Sequence, residues 1–323
     1  MSALQDILAR DRYLPLANVL AVSDWYALAD YHLQSWRDAH TIERSDHRTN
    51  AICMYQDLPW DSNLLEIHCA RIVYANAFAN SHDIVSNARA EALHRVLDEC
   101  LQDCKHRGIQ MIDARVSTRD LFIARVFEKS GFHTVDTLVT LGGNRHTLEN
   151  MKFPNVAEGV TIRSFRAEDE EALAQISYDA FGDFEAIQDR FFVEPLIAHD
   201  RSQNLFREWF RNLARHTMGG KGKIVVAEIN GDPVGYVAIE PLAPFNGHVW
   251  WKDSLNAISE KSRGKGIYRA LVGAAVKEAL NAGAAGLFTK TQISTNRVIN
   301  TWLHAGANLL ESSTTLHWTD SAN

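Results

Sequence analysis

Apolar residues in the last third of the chain repeat with two different periods. Tyr268, Leu271, Val272, Ala275 and Ala279 recur at helical spacing and stop at Gly283, where a left-handed C-cap fits. The apolar and β-branched run Leu287 to Thr291 then predicts a buried strand. Ser294 and Thr295 are N-cap candidates for a second helix ending at Gly306, and Leu309 to Trp318 reads as a final strand. The first half repeats this order. Leu93, Val96, Leu97, Cys100, Leu101 and Cys104 predict a helix stopping at Gly108, Met111 to Val116 a strand, and Ser117 and Thr118 the cap of the next helix. That helix carries Phe122, Val126 and Phe127 and stops at Gly131, and Phe132 to Leu141 reads as a strand.

Gly108 to Gly131 and Gly283 to Gly306 are both 23 residues, so a shift of 175 superimposes helix, strand, cap, helix and strand together. Agreement of spacing and element order implies two copies of one α/β unit. The junction falls between Gly142 and Gly159, a stretch holding Gly142-Gly143-Asn144 and Pro154-Asn155. Two domains are therefore expected, at 1–145 and 158–323, in line with a 323-residue chain too long for one core.

One candidate for chemistry separates the copies. Arg263-Gly264-Lys265-Gly266 stands between a strand-like run, Leu255 to Ser259, and the helix from Tyr268. Glycines let a backbone approach a phosphate, helix N-terminal N–H groups donate to its oxygens, and Lys265 and Arg263 add charge, so the segment reads as a diphosphate cradle. It lacks the Gly-Lys-Ser/Thr ending of a nucleotide-hydrolase loop and the full dinucleotide fingerprint. The same shift places Ala88-Arg89-Ala90-Glu91 opposite it, and no glycine precedes Gly108, so only the second copy is expected to bind the ligand.

Composition narrows the setting. With 46% hydrophobic and 23% charged residues the chain can bury a core without metal or disulfides. A formal charge of −7 opposes non-specific nucleic-acid binding. Cys53, Cys69, Cys100 and Cys104 form no zinc pattern and read as reduced, buried thiols, and no metal is expected. Residues Met1 to Arg12 do not look like a secretory signal and no run approaches a membrane span, so a cytoplasmic location is expected.

The loop resembles that of the GNAT superfamily of acetyl-CoA-dependent N-acetyltransferases, whose Arg/Gln-x-x-Gly-x-Gly/Ala pattern is matched by Arg263-Gly264-Lys265-Gly266-Ile267-Tyr268, with Tyr268 in place of the small residue. Lys223 to Glu228, Asn230-Gly231-Asp232 and Val234 to Ile239 look like the family's hairpin of strands two and three. The resemblance covers about 165 residues at the C-terminus and implies an α/β mixed-sheet fold, here a tandem GNAT-like repeat with a degenerate N-terminal copy and a CoA-binding C-terminal copy. It implies that the backbone at Ile258 and Glu260 pairs with the pantetheine arm, and that Arg263, Gly264, Lys265, Gly266, Ile267, Tyr268, Thr295 and Asn296 contact acetyl-CoA. Thr295 and Trp302 occupy the family's usual asparagine and tyrosine places, and the indole of Trp302 cannot protonate a thiolate; His304 would point elsewhere.

Amine acetylation needs a route for the ammonium proton and a proton for the departing thiolate. Glu240, at the end of strand three, and Asp253, near the start of strand four, are the candidate bases, acting directly or through water, and Tyr268 and Tyr236 the candidate phenols. A narrower similarity, to dTDP-fucosamine acetyltransferase and related nucleotide-amino-sugar acetyltransferases, is carried by Leu58-Pro59-Trp60-Asp61-Ser62, Ala180-Phe181, Arg190-Phe191, Phe206, Trp209, Thr291-Gln292 and Gly306-Ala307-Asn308. It implies a nucleotide-linked amino sugar as acceptor, with Arg190, Phe191, Phe206, Trp209 and Arg211 mixing arginines and rings that could pair with a diphosphate and stack a base. The same stretch also reads as an ordinary amphipathic helix. A peptide, antibiotic or polyamine amine as acceptor, and a non-catalytic CoA-binding scaffold, stay open, as does a homodimer.

Overall fold

The computed structural model describes residues 22–45, 49–79, 87–154, 156, 158–182, 189–242, 244 and 246–320. The Met1 to Arg12 reading and Asn155 of the junction lie outside them. Helix α1 spans Val22–Ser35. It is followed by β1 (His40–Ser45), β2 (Thr49–Asp57), α2 (Pro59–Leu65), β3 (Cys69–Ala79), α3 (Asn87–His106), β4 (Met111–Ser117), α4 (Leu121–Lys129), β5 (His133–Asn144) and α5 (Arg145–Asn150). Then come β6 (Val160–Ser164), α6 (Glu170–Ala180), α7 (His199–Met218), β7 (Lys223–Ile229), β8 (Asp232–Pro241), β9 (Trp250–Ile258), α8 (Ile267–Asn281), β10 (Gly286–Gln292), α9 (Asn296–Ala305) and β11 (Asn308–Thr319).

The fold is a mixed α/β sheet, and the repeat is tandem. Moving β4 and β5 by 175 positions gives the bounds of β10 and β11, and α4 and α9 match to within one residue. Gly108, Gly131, Gly283 and Gly306, which punctuate both copies, all take positive φ. Ala88 to Glu91 lies inside α3, so helix-forming Ala, Arg and Glu simply extend that helix where the second copy makes a loop.

The described residues divide into two compact units assembled from both halves of the sequence. One holds residues 32–138, 189–198 and 312–320; the other holds 22–31, 139–182 and 199–311. In the first, β1 pairs antiparallel with β2 and β2 with β3; β3 runs parallel to β4, and β4 pairs antiparallel with residues 313–319 of β11. Helix α3 buries Leu93, Val96, Leu97, Cys100 and Cys104 against that sheet, and all four cysteines are free and buried. In the second unit the order is β5-β10-β9-β8-β7-β6, with β9 and β10 parallel. Its core joins Leu271, Val272, Ala275 and Ala279 of α8 to Val225, Val237, Leu287 and Trp302. Truncating a fully buried leucine such as Leu271 to alanine would cost roughly 2–5 kcal/mol.

Several expectations need correction. Strand β9 begins at Trp250 rather than Leu255 and ends at Ile258, because alternation of buried and half-buried positions continues through Lys252 and Asp253. Glu260 is not on the strand but opens a 3₁₀ turn, Glu260–Ser262. Asp120, not Ser117 or Thr118, caps α4, its carboxylate accepting from Ile123 N at 3.0 Å. Thr295 precedes α9 without capping it, since its hydroxyl donates back to Gln292 O at 2.6 Å.

Candidate active site

The parallel ladder between β9 and β10 is short. It runs from Gly286↔Trp250 to Thr289↔Asp253 and stops, although β9 continues to Ile258, paired with β8 along its other edge. Ser254 to Ile258 therefore face the fork with a strand edge that β10 does not cover, the kind of edge on which an extended amide chain can pair. Ile258 lies at the far end of that edge; Glu260 lies past it.

Beyond the edge the chain passes Arg263 and turns through Gly264 (φ 80°) and Gly266 (φ 76°) into α8. These left-handed values suit glycine, and a Cβ built at either position would meet nothing within 4 Å. Gly264, Lys265 and Gly266 are exposed, and their N–H groups donate to no backbone carbonyl. Gly266 caps the helix with no side chain, leaving the first-turn amides of Ile267 and Tyr268 directed outward. An open, cationic array of amide donors is what a diphosphate requires.

Asp253 sits at the crotch of the fork and is 7% exposed. Its Oδ2 accepts from Asn256 Nδ2 at 2.9 Å and Thr289 Oγ1 at 3.1 Å, whereas the buried Oδ1 has no partner. Burial pushes the carboxyl up to about 6, with the two hydrogen bonds opposing. A lone acceptor with that proton affinity can take a proton near neutral pH.

Tyr268 opens α8 and Trp302 is buried on α9, yet Trp302 Nε1 donates to Tyr268 Oη at 3.2 Å. The phenol accepts from the indole and keeps its own hydrogen to give. Burial first and the charge of Asp253 next hold Tyr268 well above 10, so it stays protonated. The second phenol, Tyr236, is fully buried and bonded to Ser177 Oγ at 2.7 Å. Glu240 closes β8, with His216 Nδ1 at 2.8 Å, Ser254 Oγ donating at 2.7 Å and Lys252 Nζ at 3.5 Å. Burial raises its carboxyl, but those neighbours outweigh burial and leave it below the usual range, a paired anion and a poor base.

The remaining expected residues fall as follows. Asn296 is exposed at the first turn of α9. Phe206 is buried and stacked on Phe181 (3.9 Å between centroids), with Trp209 half-buried beside it at 6.1 Å. Arg211 is engaged by Glu208 (2.6 Å) and Glu171 (2.7 Å). Arg190 and Phe191 belong to the other compact unit, where Arg190 Nε lies 3.1 Å from Asp113 Oδ2 and its guanidinium covers the Phe191 ring at 4.1 Å. Thr289, Asn256, Ser254 and His216 were not singled out from sequence: Thr289 and Ser254 arrive across strand pairs, Asn256 from the same strand as Asp253, and His216 from helix α7. Comparison at a shift of 175 was the available signal, since it sets Tyr268 against Leu93 and Trp302 against Phe127.

Among the described residues no helix is long and apolar enough to cross a membrane. No group of three His, Cys, Asp or Glu converges there as a metal would need. Residues 182–306 match the family model described as Acetyltransferase (GNAT) family. No curated protein matches the sequence. Among solved structures, similarity extends to a GCN5-related N-acetyltransferase from Sphaerobacter thermophilus (14% identity, 94% of this chain and 91% of that one, TM-score 0.57). A tandem GNAT protein from the clavulanic acid biosynthesis pathway aligns at 10% identity over 98% and 93%, TM-score 0.55. A glucosamine N-acetyltransferase region of a fungal multi-domain GH3 β-N-acetylglucosaminidase aligns at 12% over 98% of this chain and 37% of that one, TM-score 0.59. At these identities the likeness is one of fold. The family match spans the fork, the glycine loop and both helices that hold the Tyr268–Trp302 pair, and the fold shared with these structures is of GNAT type.

Proposed function

We propose that the C-terminal copy transfers an acetyl group from acetyl-CoA to a primary amine, and that the amine belongs to a nucleotide-linked amino sugar. The observation that carries the first part is the fork with an orphaned, proton-hungry Asp253 at its crotch and an open glycine loop at its mouth. Acetyl-CoA supplies the acyl group as substrate. The amides from Gly264 to Tyr268, with Arg263 and Lys265, hold its diphosphate; the free edge of β9 ending at Ile258 orients its amide arm, and Asn296 borders it. Asp253 Oδ1, directly or through water, takes the proton the amine loses on attack, and Tyr268, held by Trp302, delivers a proton to the thiolate. Glu240 keeps His216, Ser254 and Lys252 in place and is a positioning residue.

The amino-sugar reading rests on the sequence resemblance and on the exposed part of Trp209, a flat surface for a base. Arg190 and Arg211 already have carboxylate partners, so the acceptor contacts assigned to them require exchange of those partners. Thiol release from acetyl-CoA, measured with nucleotide amino sugars, free amino sugars, peptides, aminoglycosides and polyamines, tests the whole proposal. A nucleotide amino sugar is expected to show the highest kcat/KM. Preference for another amine removes the acceptor, and acetyl-CoA binding with no turnover on any amine leaves a CoA-binding scaffold instead.

A further inference from the structure

The N-terminal unit lacks the glycine loop but carries a fork of its own. The parallel β3–β4 ladder ends at Ile72↔Ala114 as the β9–β10 ladder ends at Asp253↔Thr289, and Ala114 is Thr289 moved by 175 positions. Just past that point β9 and β3 each skip one residue against their antiparallel neighbour. Ser254 is passed over between Ile239↔Asp253 and Ala238↔Leu255, and Val73 between Tyr55↔Ile72 and Met54↔Tyr74. Ladder end and bulge together set Asn256, three residues after Asp253, against Ala75, three after Ile72. Where one copy has Asp253, Asn256 and Thr289, the other has Ile72, Ala75 and Ala114, all buried in its apolar core. Three polar residues bonded to one another answer to three apolar ones, so they form a set.

Within the set the hydrogen bonds are one-sided. Asn256 Nδ2, from β9 itself, and Thr289 Oγ1, from β10, both donate to Asp253 Oδ2, at 2.9 and 3.1 Å. Oδ1 is buried and accepts from neither. Donors from two strands fix the plane of the carboxylate and occupy the lone pairs of one oxygen, so an arriving proton goes to the other. Burial raises the carboxyl, and the hydrogen bonds from Asn256 and Thr289 lower it. Burial, with the charge of Asp253 as a further cause, keeps the phenols of Tyr268 on α8 and Tyr236 on β8 protonated, so neither competes for that proton.

We infer that Asn256 and Thr289 are positioning residues of the acetyl transfer, which by holding Oδ2 leave Oδ1 as the oxygen that receives the proton of the attacking amine. The inference rests on the reading of Asp253 as the base. Both residues act through side-chain donors, so each can be removed with the strand pairing intact.

The pH profile of kcat/KM tests it, measured with acetyl-CoA and the amine of the acceptor panel that turns over fastest. Thr289→Val keeps the β-branch and loses one donor; Asn256→Ala loses the other. An ionised carboxylate deprived of a donor holds its proton more tightly, so the acid limb, near pH 6 in the parent protein, should rise by about one pH unit in each variant. Thr289→Ser, which keeps the hydroxyl, should retain the parent's limb. The Asp253 carboxyl, followed by NMR in protein carrying carbon-13-labelled aspartate and assigned by its loss in Asp253→Asn, should move in the same way with no acceptor present. A cooperative melt shows that the variants fold. A limb and a carboxyl signal unmoved in both Thr289→Val and Asn256→Ala, or moved as far in Thr289→Ser, overturn the inference. If Asp253→Asn still abolishes the limb in that case, the base reading survives. If Asp253→Asn keeps the limb, the base reading itself fails and takes the inference with it.

Discussion

Four positions tell the two copies apart. Where the C-terminal copy has Asp253, Thr289, Tyr268 and Trp302, the shift of 175 and the matching ladder ends give Ile72, Ala114, Leu93 and Phe127. All four N-terminal residues are buried in one apolar core. Their counterparts keep a carboxylate, a hydroxyl, a phenol and an indole N–H joined by hydrogen bonds at the fork. Apolar residues hold the same strands and helices together without the cost of desolvating polar groups. Polar ones at these places are thus unnecessary for the fold, and the proposed acetyl transfer would account for their presence in one copy alone.

The comparison breaks most sharply at the glycine loop. Gly266→Asp removes a left-handed cap residue and adds an anion, so the acetyl-CoA Kd should rise about a thousandfold by titration, while the melting temperature falls only a few degrees, as nothing crowds the new side chain. Unchanged affinity would dissolve the distinction between the copies. Asp253→Asn comes next, with kcat lowered about a hundredfold. In the parent protein kcat/KM should fall below pH 6, following the carboxyl at about 6, and that limb should vanish in the variant. The same shift acts on stability. The folded carboxyl binds its proton more tightly than an unfolded one, so its contribution is intact below about pH 4 and lost as pH rises through 6. Chemical unfolding should accordingly find Asp253→Asn more stable above pH 6, on the order of 3 kcal/mol, and not at pH 4.

Tyr268→Phe sharpens the contrast by making the pair apolar as in the first copy. We expect kcat down about tenfold with acetyl-CoA affinity intact, and Trp302→Phe should give a smaller drop that Tyr268→Phe masks in the double variant. The smallest effect belongs to the N-terminal copy. Glu91→Gly places a glycine near the start of α3 but creates no loop, so titration should still count about one acetyl-CoA per chain. A second equivalent would mean that a single residue silences that copy.

Much of this architecture is legible in the sequence. Gly108, Gly131, Gly283 and Gly306 end helices at left-handed positions, a local requirement that spacing reveals, and the strands after them followed. The loop at Gly264 and Gly266 was legible for the same reason. The fork was not, because strand pairing, which decides where the β9–β10 ladder stops, leaves no mark on the spacing of residues. Nor could sequence pair Tyr268 with Trp302, which a helix, a strand and a turn separate. It set Arg190 and Arg211 in one acceptor stretch, whereas carboxylates distant in the chain claim each of them.

Each compact unit is finished by a strand segment from the other half of the sequence: residues 139–144 of β5 belong with the C-terminal copy, and residues 313–319 of β11 with the N-terminal one. The duplicated halves are therefore no longer separable modules. A gene split at the linker would yield two proteins, each with the last segment of the other's fold, so natural selection acts on the pair as one inherited object and neither copy can be discarded without leaving the other incomplete.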